Sequence, residues 1–219
     1  MIYLFCNQGF GRKFLELARR FSREHHTSIT IVFSDKAAAT RRRNLYSDMS
    51  LRIRHTVARW RFACHDKMPL LIVEDVNSPR FHKKIHPSDH GIVAGFNQIF
   101  REETIRRFMS LVNFHPSILP LYRGPVPSYW CLVNGESTTG FTLHEVTRRI
   151  DEGKILAQGI VPVGSIGDPD ILDQKIAKHA MDVFSAYLRQ LQTGEGMNGD
   201  QVDAKAIYRR HISYLSFPK

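Results

Sequence analysis

The stretch Met1–Phe33, MIYLFCNQGFGRKFLELARRFSREHHTSITIVF, decides the fold class of this chain. It begins with a short apolar run, Met1–Cys6, and ends with a second one, Ile29–Phe33. Between them, a Gly-containing turn leads into a segment whose apolar residues recur at helical spacing, at Phe14, Leu17, Ala18 and Phe21. This order predicts a βαβ unit, in which a crossover helix joins two parallel strands.

The same alternation continues along the chain. Further strands are predicted at Leu70–Val73, Gly91–Phe96, Leu111–Phe114, Gly140–Val146 and Lys154–Val163. Further helices are predicted at Leu51–Ala63, Glu102–Met109 and Ile171–Leu191. Alternating strands and helices favour a Rossmann-like α/β fold, with a mostly parallel sheet and helices on both faces. In such sheets the functional site lies at the carboxyl ends of the strands.

Length and cysteine usage limit the class of protein. A chain of 219 residues fits one large domain, expected over residues 1–193, and a short polar, Gly-rich tail over residues 194–219. No apolar run reaches the roughly 20 residues that span a bilayer, and Met1–Cys6 lacks the basic flank of a secretion signal. The cysteines are far apart and lack CxxC spacing, so they indicate neither a disulfide framework nor a zinc site. A cytoplasmic location is expected.

Charge is the one unusual global property. The chain has 31 Lys and Arg against 21 Asp and Glu, which gives a net charge of +10. Such a field favours an anionic partner: a nucleic acid, a phosphorylated small molecule or a polyglutamylated cofactor. A surface that only keeps the chain soluble explains the charge equally well. The arginine run Arg41–Arg43 and the turn Asn7–Gly11, which precedes a predicted helix, are candidate contacts for an anionic substrate.

Polar and apolar side chains alternate in the segment Val112–Pro120, VNFHPSILP. On a strand, residues i and i+2 share a face, so Asn113 and His115 project together while Phe114 points into a core. Pro116 keeps His115 extended and ends the strand. An amide donor beside an imidazole suits the stabilisation and protonation of a developing oxyanion. Taken alone, the pair is weak evidence, because an Asn-x-His at a strand end is more often structural.

The longer runs NFHPSILPLYRG and NGESTTGFTLHEVTRRIDEGKILAQ resemble the folate-dependent formyltransferase family. Its members include glycinamide ribonucleotide formyltransferase, the catalytic domain of methionyl-tRNA formyltransferase and the sugar-nucleotide N-formyltransferases. The family pattern is an Asn-x-His-x-Ser-Leu-Leu-Pro segment, a Gly-containing bend and a later Asp-x-Gly. It is matched here by Asn113, His115, Ser117–Pro120, Gly124, Thr147 and Asp151–Gly153. The match is good over roughly residues 91–158 and weaker in the amino-terminal βαβ unit.

The resemblance implies an Asn-His-Asp triad on a Rossmann-like sheet, with residues 1–193 as the catalytic domain. Asn113 and His115 would contact the formyl oxygen. Asp151 would sit beside His115, raise its pKa by charge proximity and relay protons. A protonated His115 would then help Asn113 to stabilise the oxyanion. The formyl donor would be 10-formyl-tetrahydrofolate, and no metal or covalent enzyme intermediate is required.

The resemblance also implies two sets of binding residues, one for the formyl donor and one for the substrate. Those that match the folate pocket of the family are Ala94, Gly95, Phe96, Asn97, Val146, Thr147 and Ile150. One source is the first turn, whose N–H groups can hold a phosphate at the helix start. The other is the bend after the Asn-x-His segment. Together they supply the residues that are expected to contact the substrate. These are Gly9, Gly11, Arg12, Ser117, Tyr122, Arg123 and Gly124. Gly95 would permit close approach of its backbone to the pterin, and a simple turn glycine is the competing explanation.

The identity of the amine depends on where the chain departs from the family patterns. Glycinamide ribonucleotide enzymes usually have Tyr-Pro-Gly where this chain has Tyr122–Gly124, and a Glu-His pair where Lys178 and His179 stand. Methionyl-tRNA enzymes normally carry an additional RNA-binding domain. The part of this chain that follows the matched residue, Asp151, is short for such a domain. The segments Tyr122–Gly124 and Asn134–Glu136 look more like those of the sugar-nucleotide enzymes. A small anionic amine, a nucleotide-linked amino sugar, is therefore favoured over a nucleic acid.

Two other classes of function are compatible with the sequence. A hydrolase that passes the formyl group of formyl-tetrahydrofolate to water would need the same triad. A non-catalytic nucleic-acid-binding module on the same scaffold would explain the basic charge, but it has no use for Asn113, His115 and Asp151. No membrane association is expected, and the oligomeric state is left open.

Overall fold

A computed structural model describes residues 1–6, 10–35 and 68–194 of the chain. Several predicted features lie outside these residues: Gly9, Arg41–Arg43, the helix over Leu51–Ala63 and the tail from residue 195 onward. The side chain of Arg12 also lies outside the described part.

All seven predicted strands are present. They are β1 (Ile2–Cys6), β2 (Ile29–Ser34), β3 (Leu70–Val73), β4 (His90–Ala94), β5 (Ser110–His115), β6 (Thr138–Glu145) and β7 (Ile155–Pro162). The helices of the described residues are α1 (Phe10–Glu24), α2 (Pro79–His82), α3 (Glu102–Ile105), α4 (Pro127–Val133) and α5 (Pro169–Thr193). The helix predicted over Glu102–Met109 is limited to the four residues of α3, and no sequence pattern predicts α4.

The strands form one sheet in the order β3-β2-β1-β4-β5-β6-β7. The strands from β3 to β5 run parallel to one another. By contrast, β6 is antiparallel to β5, and β7 is antiparallel to β6. The mostly parallel Rossmann-like sheet predicted from the sequence is confirmed. Its antiparallel part begins at β5, the strand that carries Asn113 and His115.

One face of the sheet is covered by the two long helices, α1 and α5. In the buried cluster between them and the sheet, the ring centre of Phe14 lies 5.1 Å from that of Phe114 and 4.9 Å from that of Phe184. The N-cap Asp168 begins α5, and the left-handed Gly194 ends it, as expected for residues of these types. None of the described helices is both long and apolar enough to cross a membrane.

The opposite face carries a second buried cluster, the aromatic cluster, which includes residues of α2 and α3. Its aromatic members are Tyr3, Phe5, Phe81, Phe100 and Phe108. Along β5, Leu111 belongs to this aromatic cluster and Val112 to the other one, so side chains alternate between the two faces. Asn113 and His115 therefore project from the same face as Leu111. The candidate site lies on this face, next to the aromatic cluster.

Candidate active site

Strands β5 and β6 bring polar side chains together on one face. Asn113 pairs with His144 across the two strands, and His115 pairs with Thr142. Asn113 Nδ2 donates a hydrogen bond to His144 Nε2 at 3.1 Å. The other ring nitrogen of His144, Nδ1, lies 2.8 Å from the carbonyl oxygen of Glu145. Because a carbonyl oxygen only accepts, neutral His144 carries its proton on Nδ1 and accepts at Nε2.

Asp151 joins these side chains from the loop that follows β6. Gly153 packs against the carbonyl group of Glu145 so closely that a Cβ atom would not fit, and this contact holds the returning loop against the end of β6. Asp151 itself has a φ of 53°, in the left-handed region that Asp tolerates better than most residues. Its carboxylate lies 3.5 Å from Asn113 Nδ2 and 3.6 Å from His115 Nδ1. The structure thus places Asn113, His115 and Asp151 together, as their assignment to one triad requires.

A buried hydrogen-bond network shapes the bend that follows β5. Ser117 Oγ donates to the carbonyl oxygen of Leu121 at 2.7 Å. The Thr142 hydroxyl donates to the Ser117 carbonyl oxygen at 2.7 Å and accepts from the Leu119 N–H at 3.0 Å. Gln158 Nε2 donates to both Leu119 O and Thr142 Oγ1, each at 2.9 Å. The sequence predicts that Ser117 contacts the substrate. In the structure its side chain is buried, and its hydroxyl stabilises the bend.

The loop Leu121–Gly124 contacts both His115 and Asp151. His115 Nε2 lies 2.8 Å from the carbonyl oxygen of Tyr122, so Nε2 must donate. Neutral His115 then keeps its lone pair at Nδ1, the ring atom that faces Asp151. The N–H of Gly124 donates to Asp151 Oδ2 at 2.7 Å. One loop thus sets the tautomer of the imidazole and holds the carboxylate beside it.

Burial decides the protonation of His115. Its side chain is only 5% exposed, and desolvation lowers its pKa below the ordinary value of histidine. The charge of Asp151 and the hydrogen bond to Tyr122 act to raise the pKa, but they do not outweigh burial, and His144 lowers it further. Asp151 therefore acts on the pKa of His115 in the expected direction, but the expectation of a protonated His115 is wrong for the resting site. Asp151 only limits the decrease, and the imidazole is neutral at about pH 7 in the resting site.

The carboxylate of Asp151 is ionised in the same site. Burial acts to raise its pKa, but the contact with His144, the charge that His115 carries when it is protonated and the Gly124 N–H together lower it. Asp151 Oδ1 lies 3.5 Å from both His144 Nε2 and Asn113 Nδ2, so the amide of Asn113 bridges the imidazole and the carboxylate. Asn113, His115, His144 and Asp151 form the polar cluster of the site. It offers a proton acceptor at His115 Nδ1, an anion that stabilises the protonated ring, and an amide donor for an oxyanion.

The residues assigned to the formyl donor lie at the end of β4 and after β6. The exposed ones are Gly95, Asn97, Thr147 and Ile150, whereas Ala94 is buried. Phe96 and Val146 pack against the aromatic cluster, on the face that carries the polar cluster. Gly95 has a φ of 61°, and a Cβ atom there would lie 3.1 Å from the backbone nitrogen of Gly11. This turn and its contact with α1 account for the glycine without a ligand.

The residues assigned to the substrate that lie beside the polar cluster are Tyr122, Arg123 and Gly124. Arg123 Nη1 forms an ion pair with Glu152 at 2.7 Å, so the charge of Arg123 is partly neutralised within the protein. Gly11 is buried in the first turn of α1, where a Cβ atom would collide with the carbonyl oxygen of Ala94. Packing of α1 on β4 therefore explains this glycine.

His144 is the member of the polar cluster that the sequence motifs do not identify. Its one local signal is the alternation that places Thr142 and His144 on the same face of β6. Its position opposite Asn113 depends on the antiparallel register of β5 and β6, which no local pattern specifies. Histidine is also a common metal ligand, but within the described ranges no group of His, Cys, Asp and Glu is arranged to hold a metal ion.

The lowered pKa values predict that acid destabilises the fold. Because the folded-state pKa of His115 is lowered, the unfolded chain takes up that proton first as the pH falls below about 6.5, and stability is lost in this window. The lowered pKa of Asp151 acts in the same direction below about pH 4. Urea unfolding at about pH 7.5 and about pH 5 should show a smaller loss of unfolding free energy in His115→Gln than in the wild type.

The matched control is His86→Gln, because His86 is exposed. Part of the loss should persist in His115→Gln, since burial also lowers the pKa of His82 and of His90. An equal loss of stability in His115→Gln and wild type would contradict the assignment of a neutral, buried His115.

Comparison with known proteins places the chain among formyl transferases. The family model described as Formyl transferase matches residues 4–188, from β1 into α5. A similar solved structure is glycinamide ribonucleotide transformylase 1 from Symbiobacterium toebii, with 19% identity, a TM-score of 0.63, and coverage of 88% of this chain and 87% of that one. A sugar N-formyltransferase from a Shewanella species has 21% identity, a TM-score of 0.59, and coverage of 87% and 68%.

A third solved structure is WlaRD, a sugar 3N-formyl transferase determined in the presence of dTDP and 5-N-formyl-THF. It has 17% identity and a TM-score of 0.62, and the match covers 93% of this chain and 66% of that one. At these identities the solved structures show that the fold is shared. The family-model match contains all four residues of the polar cluster and spans most of the chain. The chain therefore belongs to the formyl transferase family of enzymes.

Proposed function

We propose that this enzyme transfers the formyl group of 10-formyl-tetrahydrofolate to a primary amine of a small anionic substrate, with Asn113, His115 and Asp151 as its catalytic residues. The polar cluster is the observation that supports this most strongly. It holds a neutral imidazole, an ionised carboxylate and an amide donor within hydrogen-bonding or ion-pair distance on one face. A structural role alone does not require two imidazoles and a carboxylate in so buried a place.

In the proposed reaction, the amine nitrogen attacks the formyl carbon and a C–N bond forms while the carbonyl electrons move to oxygen. Asn113 Nδ2 donates to that oxyanion, which requires it to give up its long 3.5 Å contact with Asp151. His115 Nδ1 accepts the proton of the amine, and Asp151 stabilises the protonated ring. Collapse of the oxyanion breaks the bond between the formyl carbon and the folate nitrogen, which receives the proton. The products are a formamide and tetrahydrofolate.

The formyl donor is a substrate in this scheme, and the described residues fit a site for it. Phe96 and Val146 lie against the aromatic cluster on the face of the polar cluster, and Ile150 is 52% exposed immediately before Asp151. An exposed apolar side chain at this position offers a contact for the flat pterin ring. Gly95 and Asn97 are also exposed beside Phe96 and can supply polar contacts.

Ile150 provides a specific test of this donor site. Ile150→Ala should weaken binding of 5-formyl-tetrahydrofolate by about tenfold, because a contact of roughly 1.4 kcal/mol is lost with the truncated side chain. Titration calorimetry measures this affinity. The matched control is Ile160→Ala, since Ile160 is similarly exposed, at 63%, but lies on the edge strand β7. Absence of saturable binding by the wild type, or equal affinities of the two variants, would reject the donor site.

For the acceptor, a nucleotide-linked amino sugar is the proposed class. Support comes from the segments Tyr122–Gly124 and Asn134–Glu136, which look like those of sugar-nucleotide enzymes, and from the fold shared with sugar N-formyltransferases. Arg123 lies beside the polar cluster, although its pairing with Glu152 reduces the charge that it can offer to an anion. Glycinamide ribonucleotide is the second candidate, because the fold is equally shared with its transformylases.

A screen of amines tests the proposed reaction. The enzyme is mixed with 10-formyl-tetrahydrofolate and with nucleotide-linked amino sugars, glycinamide ribonucleotide or methionyl-tRNA, and release of tetrahydrofolate is followed against a blank without enzyme. We expect release that depends on an amino sugar and an equal amount of formamide product. Release at the same rate without any amine would identify a hydrolase. No release under any condition would contradict formyl transfer from this donor.

A further inference from the structure

Tyr122 holds an unusual position beside the polar cluster. Its φ is 55°, in the left-handed region that side chains other than Gly, Asn and Asp rarely adopt. Its carbonyl oxygen accepts the hydrogen bond from His115 Nε2 at 2.8 Å, and two residues later the Gly124 N–H holds Asp151 at 2.7 Å. A change in the backbone of Leu121–Gly124 would therefore disturb the imidazole and the carboxylate together.

The side chain of Tyr122 is anchored to a different part of the chain. Its hydroxyl donates to Glu136 Oε1 at 2.6 Å and accepts from Asn134 Nδ2 at 3.1 Å. Both partners lie in the turn between α4 and β6, which the sequence links to the class of the acceptor but not to the catalytic residues. Burial and the hydrogen bond to Glu136 raise the pKa of Tyr122 to about 12, so its hydroxyl stays protonated and remains a donor. The bond to a charged acceptor is of the stronger class of hydrogen bonds.

We propose that Tyr122, anchored by Glu136 and Asn134, is a positioning residue that holds the Leu121–Gly124 loop so that His115 exchanges its proton only at Nδ1. The effect that we infer on kcat rests on the proposed function, whereas the inferred positions of the loop and of the His115 proton do not. The Tyr122 carbonyl occupies Nε2, and the remaining ring nitrogen faces Asp151. Without the anchor, the loop could release Nε2, and the ring would be free to take the other tautomer or turn away from the carboxylate.

A second tie holds the same loop to another part of the chain. Arg123 Nη1 pairs with Glu152 Oε1 at 2.7 Å, next to Asp151 in the chain, and Arg149 Nη1 lies 3.5 Å from the other oxygen of Glu152. This tie fixes the loop to the segment of Asp151, whereas Tyr122 fixes it to the turn before β6. Loss of the Tyr122 anchor should therefore loosen the loop without unfolding the protein.

Nitrogen-15 NMR of the full-length, histidine-labelled protein tests the tautomer directly. The His115 signal is assigned by its absence from His115→Gln. Above the pH at which His115 titrates, the wild type should show one tautomer, with the proton on Nε2. Tyr122→Phe removes only the hydroxyl and should give a mixture of tautomers or a broadened signal. Tyr129→Phe is the matched control, because it makes the same chemical change at an exposed tyrosine of α4, and it should leave the His115 signal unchanged.

Steady-state kinetics give the second readout. Tyr122→Phe and Glu136→Ala should each lower kcat by about tenfold and leave the KM for the formyl donor unchanged, because misplacement of a catalytic group affects the chemical step. Glu136→Gln keeps an acceptor oxygen for the Tyr122 hydroxyl and should retain most of the activity. Glu136 is exposed, so Glu136→Ala tests the anchor even where Tyr122→Phe fails to fold.

The outcomes separate this proposal from the proposed function. A proton on Nδ1 of neutral His115 in the wild type, or an unchanged His115 signal in both Tyr122→Phe and Glu136→Ala, would overturn the positioning role whatever the activity. A wild-type enzyme that transfers no formyl group would contradict the proposed function, while the NMR result would still decide whether Tyr122 holds the ring.

Discussion

The site depends on one buried carboxylate, that of Asp151, whose side chain is only 10% exposed. A charge so removed from water is stable only where several donors meet it. Here the Gly124 N–H and the Asn113 amide donate to it, and the imidazoles of His115 and His144, which lie within 3.6 Å, add positive charge beside it when they are protonated. These groups come from three separate parts of the chain, so the position of each is constrained by the same negative charge.

The fold supplies the geometry that this arrangement requires. A wholly parallel sheet would carry the chain away over a crossover helix after β5, but the antiparallel β6 places His144 directly beside Asn113. The loop after β6 then turns back, and Gly153 packs against Glu145 where no side chain fits. The bend after β5 is fixed by buried hydrogen bonds to Thr142 and Gln158. On the far side of the sheet, α1 and α5 pack on Phe114, which alternates with the polar residues of β5.

Local pattern and motif predict a large part of this structure. Apolar runs locate all seven strands, and the spaced motif around Asn113, His115 and Asp151 locates three of the four residues of the polar cluster. The sequence does not predict His144 as a member of the site, because its position beside Asn113 depends on the register between β5 and β6, which is a long-range property. The protonation of His115 is predicted wrongly because the charge of Asp151, which does act to raise the pKa, is evident from a motif, whereas the depth of burial is a property of the assembled fold. The anchor of Tyr122 on Glu136 joins residues 14 positions apart across a helix that no pattern predicts.

The central claim is that Asn113, His115 and Asp151 act on the transition state of formyl transfer. The most direct measurement is kcat for His115→Ala, Asp151→Asn and the double variant, with His86→Ala and Asp170→Asn as exposed controls. Loss of a group that acts only in the transition state typically costs about 100- to 1000-fold in rate. We expect at least that loss in each single variant, a double variant little worse than the worse single one, and nearly unchanged affinity for 5-formyl-tetrahydrofolate. Turnover near the wild-type rate in His115→Ala would contradict the account.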